Sequence, residues 1–150
     1  MEKKMRIMVV DDEVRFLVST KKLLEKRGYT VETAASGAEA LDKLILAKPH
    51  VVILDVKMPG MDGIQTLGEI KTRFPLIEVI MLTGHGTVES AVTGLKSGAF
   101  DYLIKPIDVD DLIGKAEEAY RKRRQIEEKI RVAQSRTLTA SAQNILHGTR

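Results

Sequence analysis

Apolar residues along this chain fall into short, near-continuous runs separated by stretches of helical periodicity. Arg6-Ile7-Met8-Val9-Val10, Val51-Val52-Ile53-Leu54 and Val79-Ile80-Met81-Leu82 are each bounded by polar or turn residues. Parallel strands buried on both faces have this pattern. Weaker runs at 29–34 and 102–105 bring the expected strands to five. Between them the spacing predicts a helix over 13–27 with Phe16, Leu17, Leu23 and Leu24 facing inward, stopped by Gly28. Ser36-Gly37-Ala38-Glu39 is a capping-box pattern that starts a second helix, with Leu41, Leu44 and Ile45 inward, and Pro49 ends that segment. A third helix follows the loop 55–63 and closes at Phe74-Pro75; a fourth spans 88–97 before Gly98. Asp108 caps a last helix that continues into a basic cluster.

Strands alternating with helices imply βαβ units and a parallel sheet. Right-handed crossovers leave few topologies for five such repeats, and the natural one is the flavodoxin-like, doubly wound order 2-1-3-4-5. At 150 residues this is one domain, over 5–120, with a C-terminal helical extension or linker over 121–150. There is no Cys, which removes disulfides and thiolate metal sites and fits a reducing compartment. The N-terminal apolar stretch breaks at Asp11, too early for a signal peptide or a membrane span, so the expectation is a soluble, cytoplasmic protein.

The net charge of +3 is unevenly placed: residues 1–110 hold 15 Lys+Arg against 16 Asp+Glu, and residues 111–150 hold 9 against 5. A tail around Arg121-Lys122-Arg123-Arg124 could bind an anion such as nucleic acid. Glu117, Glu118, Glu127 and Glu128 interleave with it, however, and no DNA-reading motif accompanies it, which favours a solvated helix face.

The chemistry lies at the strand ends. Asp11 and Asp12 follow the first strand, Asp55 the third, Thr83 the fourth and Lys105 the fifth. Ligands of open α/β sheets bind outside the carboxyl ends of the strands, so these residues read as one site. Taken singly, each has an ordinary explanation as a helix-terminal acid, a turn residue or a solvated lysine. Their joint occurrence on one edge is what points to function. Three carboxylates at close range repel unless one is protonated or a cation intervenes. Oxygen ligands without His or Cys suit a hard ion, and Mg²⁺ is the natural choice. A cation, an amine and a hydroxyl beside a carboxylate meet the needs of phosphoryl transfer, and Asp is a known covalent acceptor.

Val9-Val10-Asp11-Asp12-Glu13, Leu54-Asp55-Val56-Lys57-Met58-Pro59-Gly60-Met61-Asp62-Gly63, Met81-Leu82-Thr83-Gly84 and Gly98-Ala99-Phe100-Asp101-Tyr102-Leu103-Ile104-Lys105-Pro106 also carry a family likeness. In order and spacing the chain resembles a response-regulator receiver domain of bacterial two-component signalling over about residues 5–120. Among receivers it is similar to those that precede ATPase-type transcription activators. The resemblance implies that Asp55 accepts a phosphoryl group from a cognate histidine kinase, phosphotransfer protein or small phosphodonor. It further implies that Asp11, Asp12, Asp55 and the Lys57 backbone carbonyl hold Mg²⁺, and that Thr83 and Lys105 contact the phosphoryl oxygens. Lys105–Pro106 would be cis, and Tyr102 would be an aromatic switch coupled to Thr83. Lys57 and His85 fall where the family tunes acyl-phosphate lifetime; His85 reads equally well as a water-positioning group or a solvated loop histidine. His50 and His147 lack a context that suggests a role, and the Met residues read as core or loop filler.

The rival of another class is a Mg²⁺-dependent phosphohydrolase with an aspartyl-phosphate intermediate, which needs a substrate pocket that these short loops do not supply. A flavin module is disfavoured because Asp11-Asp12-Glu13 would repel its phosphate. Finally, Leu112, Ala116, Ala119, Arg123, Ile126, Ile130 and Ala133 keep the alternating spacing of a coiled-coil seam. This predicts a homodimer through the last helix, with 135–150 a frayed helix or linker.

Overall fold

The computed structural model describes residues 5–146. Its five strands are β1 (Arg6–Val10), β2 (Thr30–Ala34), β3 (Val51–Leu54), β4 (Glu78–Thr83) and β5 (Asp101–Ile104). They form one parallel sheet in the order β2-β1-β3-β4-β5, as the alternation of elements requires. The helices are α1 (Val14–Lys26), α2 (Gly37–Ala47), α3 (Gly63–Arg73), α4 (Val88–Lys96) and α5 (Val109–Leu146).

Strand side chains alternate between two cores. Met8, Val10, Val52, Leu54, Val79 and Met81 pack with Leu41, Leu44, Leu67 and Ile70 of α2 and α3. Ile7, Val9, Val51, Ile53, Ile80 and Leu82 pack with Leu17 and Leu24 of α1 and with Leu112, Ala116 and Ala119 of α5. Four methionines, Met5, Met8, Met58 and Met81, are buried, in keeping with a filler role.

Two inward assignments are corrected. Leu23 is 44% exposed and Ile45 is 65% exposed. The buried stripe of α1 is Leu17, Thr20 and Leu24, and that of α2 is Gly37, Ala40, Leu41 and Leu44. Leu23 and Ile45 each lie one residue, about 100° of helix, from a buried neighbour and so fall off the contact face. The expected capping box of α2 is half formed. Ser36 Oγ accepts from the Glu39 amide at 3.1 Å, but Glu39 Oε2 accepts from the Ala35 amide at 2.9 Å, one residue earlier than the pattern. Reciprocal boxes form instead at Asp62/Gln65 and Thr87/Ser90, which start α3 and α4. Strand β5 lies one residue before its expected place, and β4 extends to include Thr83.

Helix α5 leaves the sheet at its lower, amino-terminal rim. Its last buried residue is Ala119. Tyr120 meets the His50 ring edge-on at 4.8 Å, Lys122 pairs with the buried Glu78 at 3.3 Å, and the Arg123 guanidinium donates to the Pro49 carbonyl at 3.1 Å. His50 therefore has a structural part that its sequence context did not suggest. Its Nδ1 accepts the Arg6 amide at 3.0 Å, and burial, aided by Arg6 and Arg123, holds its pKa down at about 4. Segment 135–146 is helical, where a frayed helix or linker was expected; His147 lies outside the described residues. Of the basic cluster, Arg121, Lys122 and Arg124 are exposed, as a solvated face requires, whereas the Arg123 side chain is 16% exposed and pairs with Glu127 against the domain base. Among the described residues no helix is long and apolar enough to cross a membrane.

Candidate functional site

Four adjacent strands, β1, β3, β4 and β5, end side by side, and each ends in a group with chemistry. The Asp11 amide donates to the Ala34 carbonyl at 3.1 Å and the Asp55 amide to the Val10 carbonyl at 2.9 Å, so both acids are held by continued sheet hydrogen bonding. The Lys105 amide donates to the Thr83 carbonyl at 2.8 Å and fixes the end of β5 against β4 in the same way. Lys105–Pro106 is cis.

Asp11, Asp12 and Asp55 each bring a carboxylate oxygen within 4.8 Å of the other two. Asp11 and Asp55 are buried, at 1% and 5% exposure, whereas Asp12 faces solvent. Asp11 is fully engaged. Its Oδ1 accepts the Glu13 amide at 2.9 Å and its Oδ2 accepts the Lys105 ammonium at 2.6 Å. Asp55 is not, because its buried Oδ1 has no hydrogen-bond partner. Leaving a buried carboxylate oxygen unsatisfied is costly, and native proteins keep such groups mainly where an ion or a reaction needs them. Burial, and next the Asp11 charge, push the Asp55 pKa up; the Thr83 hydroxyl, Lys105 and the Val56 amide counter that rise without cancelling it. Lys105 is pulled down by burial, but Asp11, Asp55 and Glu13 outweigh that and its pKa is raised. The ammonium is therefore charged at neutral pH.

The surrounding loops shape the approach. Asp12, Glu13, Asp55, Lys57, Met58, Pro59, Asp62 and His85 line an open cleft of about 570 Å³. Lys57 and His85 thus share the cleft with Asp55. Glycine is required at 63, since a Cβ there would run into the Asp55 carbonyl as the loop folds back under the site. The Thr83 hydroxyl is fully buried and accepts the His85 amide at 3.1 Å, which ties the β4–α4 loop to the site.

Tyr102, on β5, packs against that loop and the start of α4. Its hydroxyl is 2.5 Å from Ser90 Oγ, inside the capping box of α4, and a Cβ at Gly86 would press on its ring. Sequence reasoning assigns Ser90 no role and reads Glu13 only as part of the acidic run Asp11-Asp12-Glu13. The Thr87-x-x-Ser90 spacing could have marked the first as a cap; nothing in the sequence tied the second to Lys105, from which it stands 3.6 Å.

The donor set fits Mg²⁺. Two buried acids and one exposed acid, with a carboxylate oxygen of Asp55 unpartnered, supply a part-filled oxygen shell open to solvent on the cleft side.

Comparison with known proteins agrees with this arrangement. A family model described as the response regulator receiver domain matches residues 7–117. The DNA-binding transcriptional regulator NtrC of Escherichia coli (strain K12) is 40% identical over 113 residues, 75% of this chain and 24% of that protein. Transcriptional regulatory protein ZraR of the same strain is 45% identical over 113 residues, again 75% of this chain and 26% of that protein. The chain thus spans about a quarter of the length of these relatives. Among solved structures, a response regulator receiver domain protein from Clostridium thermocellum superposes with a TM-score of 0.77 at 40% identity, covering 81% of this chain and 98% of that one. NtrX from Brucella abortus, solved with ADP, gives 0.78 at 35% identity over 83% of this chain and 29% of its own.

Proposed function

The chain belongs to the response regulator receiver family of two-component signalling, and on that premise we propose that Asp55 is its phosphoacceptor. The observation that carries this reading is the buried, unpartnered Asp55 oxygen beside two further acids, with Lys105 and Thr83 converging on it. An Asp55 carboxylate oxygen attacks phosphorus in a phosphohistidine of a histidine kinase or phosphotransfer protein, or in a small acyl phosphate. The bond from phosphorus to the donor nitrogen or oxygen breaks, its electron pair leaves with the donor, and an acyl phosphate forms on Asp55. Asp11, Asp12, Asp55 and the Lys57 carbonyl would hold Mg²⁺, which would supply charge neutralisation for the incoming phosphoryl group. Lys105 lies ready to pair with one phosphoryl oxygen, and the Thr83 hydroxyl to donate to another. His85 and Lys57, on the cleft wall, govern the access of water to the ester. The phosphohydrolase reading is not favoured: the cleft is open, and the family is one of signalling domains.

The metal assignment is tested with Asp12→Ala. This exposed acid contributes a ligand directly or through water, so its loss is expected to weaken Mg²⁺ binding about tenfold while leaving the fold intact. Calorimetric titration reads the affinity, and an affinity equal to that of the wild type would remove Asp12 from the metal site.

The same reading extends to the output. Phosphorylation draws the Thr83 hydroxyl to the phosphoryl group, and Tyr102 turns inward, giving up Ser90 and reshaping the face of α4, β5 and α5. The modification biases two arrangements that already interconvert. Thr83→Ala is expected to accept phosphate yet leave the Tyr102 resonances near their unmodified positions when beryllofluoride is added. A full wild-type shift of Tyr102 in that variant would break the coupling. A homodimer through residues of α5 beyond 120 completes the proposal, with 121–150 acting as an extension of the receiver.

A further inference from the structure

We propose that Phe16 is a positioning residue that holds the Lys105 ammonium over the site through the face of its ring. The inference rests on the phosphoacceptor reading of Asp55 and adds a residue to it. Phe16 belongs to α1, not to a strand end, and is partly buried against the core formed with α1 and α5. Lys105 Nζ stands 4.0 Å from the centre of its ring, well within the range of a cation–π contact. The ammonium is therefore bounded by Asp11 Oδ2 at 2.6 Å, Glu13 Oε1 at 3.6 Å and the ring, with its side chain 16% exposed.

These partners differ in what a loaded site does to them. Asp11 belongs to the three-acid cluster, so a divalent cation there competes with Lys105 for its charge. Glu13 is 68% exposed, and solvent screens its attraction. The ring attracts the cation through its quadrupole, carries no net charge and ligates nothing, so its hold is unchanged when the cluster fills. A lysine stem is long enough to carry its ammonium out to water when nothing retains it. Phe16 is the restraint that persists at the moment Lys105 must face a phosphoryl oxygen. Leucine at 16 would keep an apolar contact with the stem but present no π face; tyrosine would keep the face.

The test measures beryllofluoride uptake by fluorine NMR in the presence of Mg²⁺, and Mg²⁺ affinity alone by calorimetry, for the wild type, Phe16→Leu and Phe16→Tyr. Phe16→Leu is expected to bind beryllofluoride about three- to tenfold more weakly, and Phe16→Tyr within about twofold of the wild type. Mg²⁺ affinity should stay within about twofold in all three, because the ring carries no net charge and supplies no ligand atom. Phe16→Met repeats the comparison with an unbranched apolar chain should leucine disturb the fold. Equal beryllofluoride affinity across the set, a parallel fall in Mg²⁺ affinity, or a tyrosine variant as weak as leucine overturns the role of Phe16. A wild type that binds no beryllofluoride overturns the phosphoacceptor reading first, and this inference with it.

Discussion

Asp55→Ala is expected to abolish phosphoryl uptake, with no Mg²⁺-dependent labelling from acetyl phosphate and no bound beryllofluoride. The expectation follows from the chemistry: no other carboxylate of the cluster is both buried and without a partner, since Asp11 is tied to Lys105 and Glu13 and Asp12 faces solvent. Intact-mass measurement after incubation decides it, and wild-type labelling of the variant would end the assignment. Asp55→Asn gives a second reading through stability. Burial and Asp11 raise the Asp55 pKa in the folded chain, so the fold favours the protonated acid. That contribution is present below the ordinary carboxylate pKa and is lost as the pH rises through the raised one. At neutral pH the ionised group therefore costs stability, which the amide avoids. Asp55→Asn should melt higher than the wild type at pH 7.5, and the difference should shrink at low pH. Mg²⁺ should raise the melting temperature of the wild type far more than that of the variant. A lower melting temperature for Asp55→Asn at neutral pH would contradict the electrostatic account.

Ile126→Asp combined with Ile130→Asp is expected to turn a dimer into a monomer. Among the described residues the last fully buried residue of α5 is Ala119, and Arg123 hydrogen-bonds the domain base through the Pro49 carbonyl. Past that point Ile126 is half-buried and Ile130 is 42% exposed, on the stripe that Leu112, Ala116 and Ala119 begin. Closing each isoleucine into a seam is worth about 1.5–3 kcal/mol, and placing a charge there reverses the sign. Thr137 and Asn144 continue the spacing with polar residues, so the seam is short and the dimer should be of moderate strength. Sedimentation velocity of wild type and double variant, with and without beryllofluoride, gives the answer. A monomeric wild type in both conditions would dismiss the helix pairing.

The order of elements, the strand pairing and the rim that carries the site could be read from the chain because they depend on local pattern. Near-continuous apolar runs mark strands buried on both faces, and five β/α repeats leave little freedom in topology. The acids at 11, 12 and 55, the hydroxyl at 83 and the amine at 105 end adjacent strands, so naming the strands was nearly enough to assemble the cluster. Helix faces were less legible. Leu23 and Ile45 are as apolar as Leu24 and Leu44, and only the position of the sheet decides which neighbour on the wheel is covered.

What the sequence by itself determined is therefore the architecture and the donor groups, since both follow from residue type and spacing within one element. What only tertiary structure decided are the relations between elements distant in sequence. Phe16 lies against Lys105, Ser90 against Tyr102, and His50 between Arg6 and Tyr120. The pKa of Asp55 belongs to the same class, because it comes from burial and from a neighbouring strand's carboxylate rather than from its own surroundings in the chain. Such contacts depend on how closely helices settle on the sheet and which rotamers that leaves open, and side-chain packing at that scale has no period in the sequence.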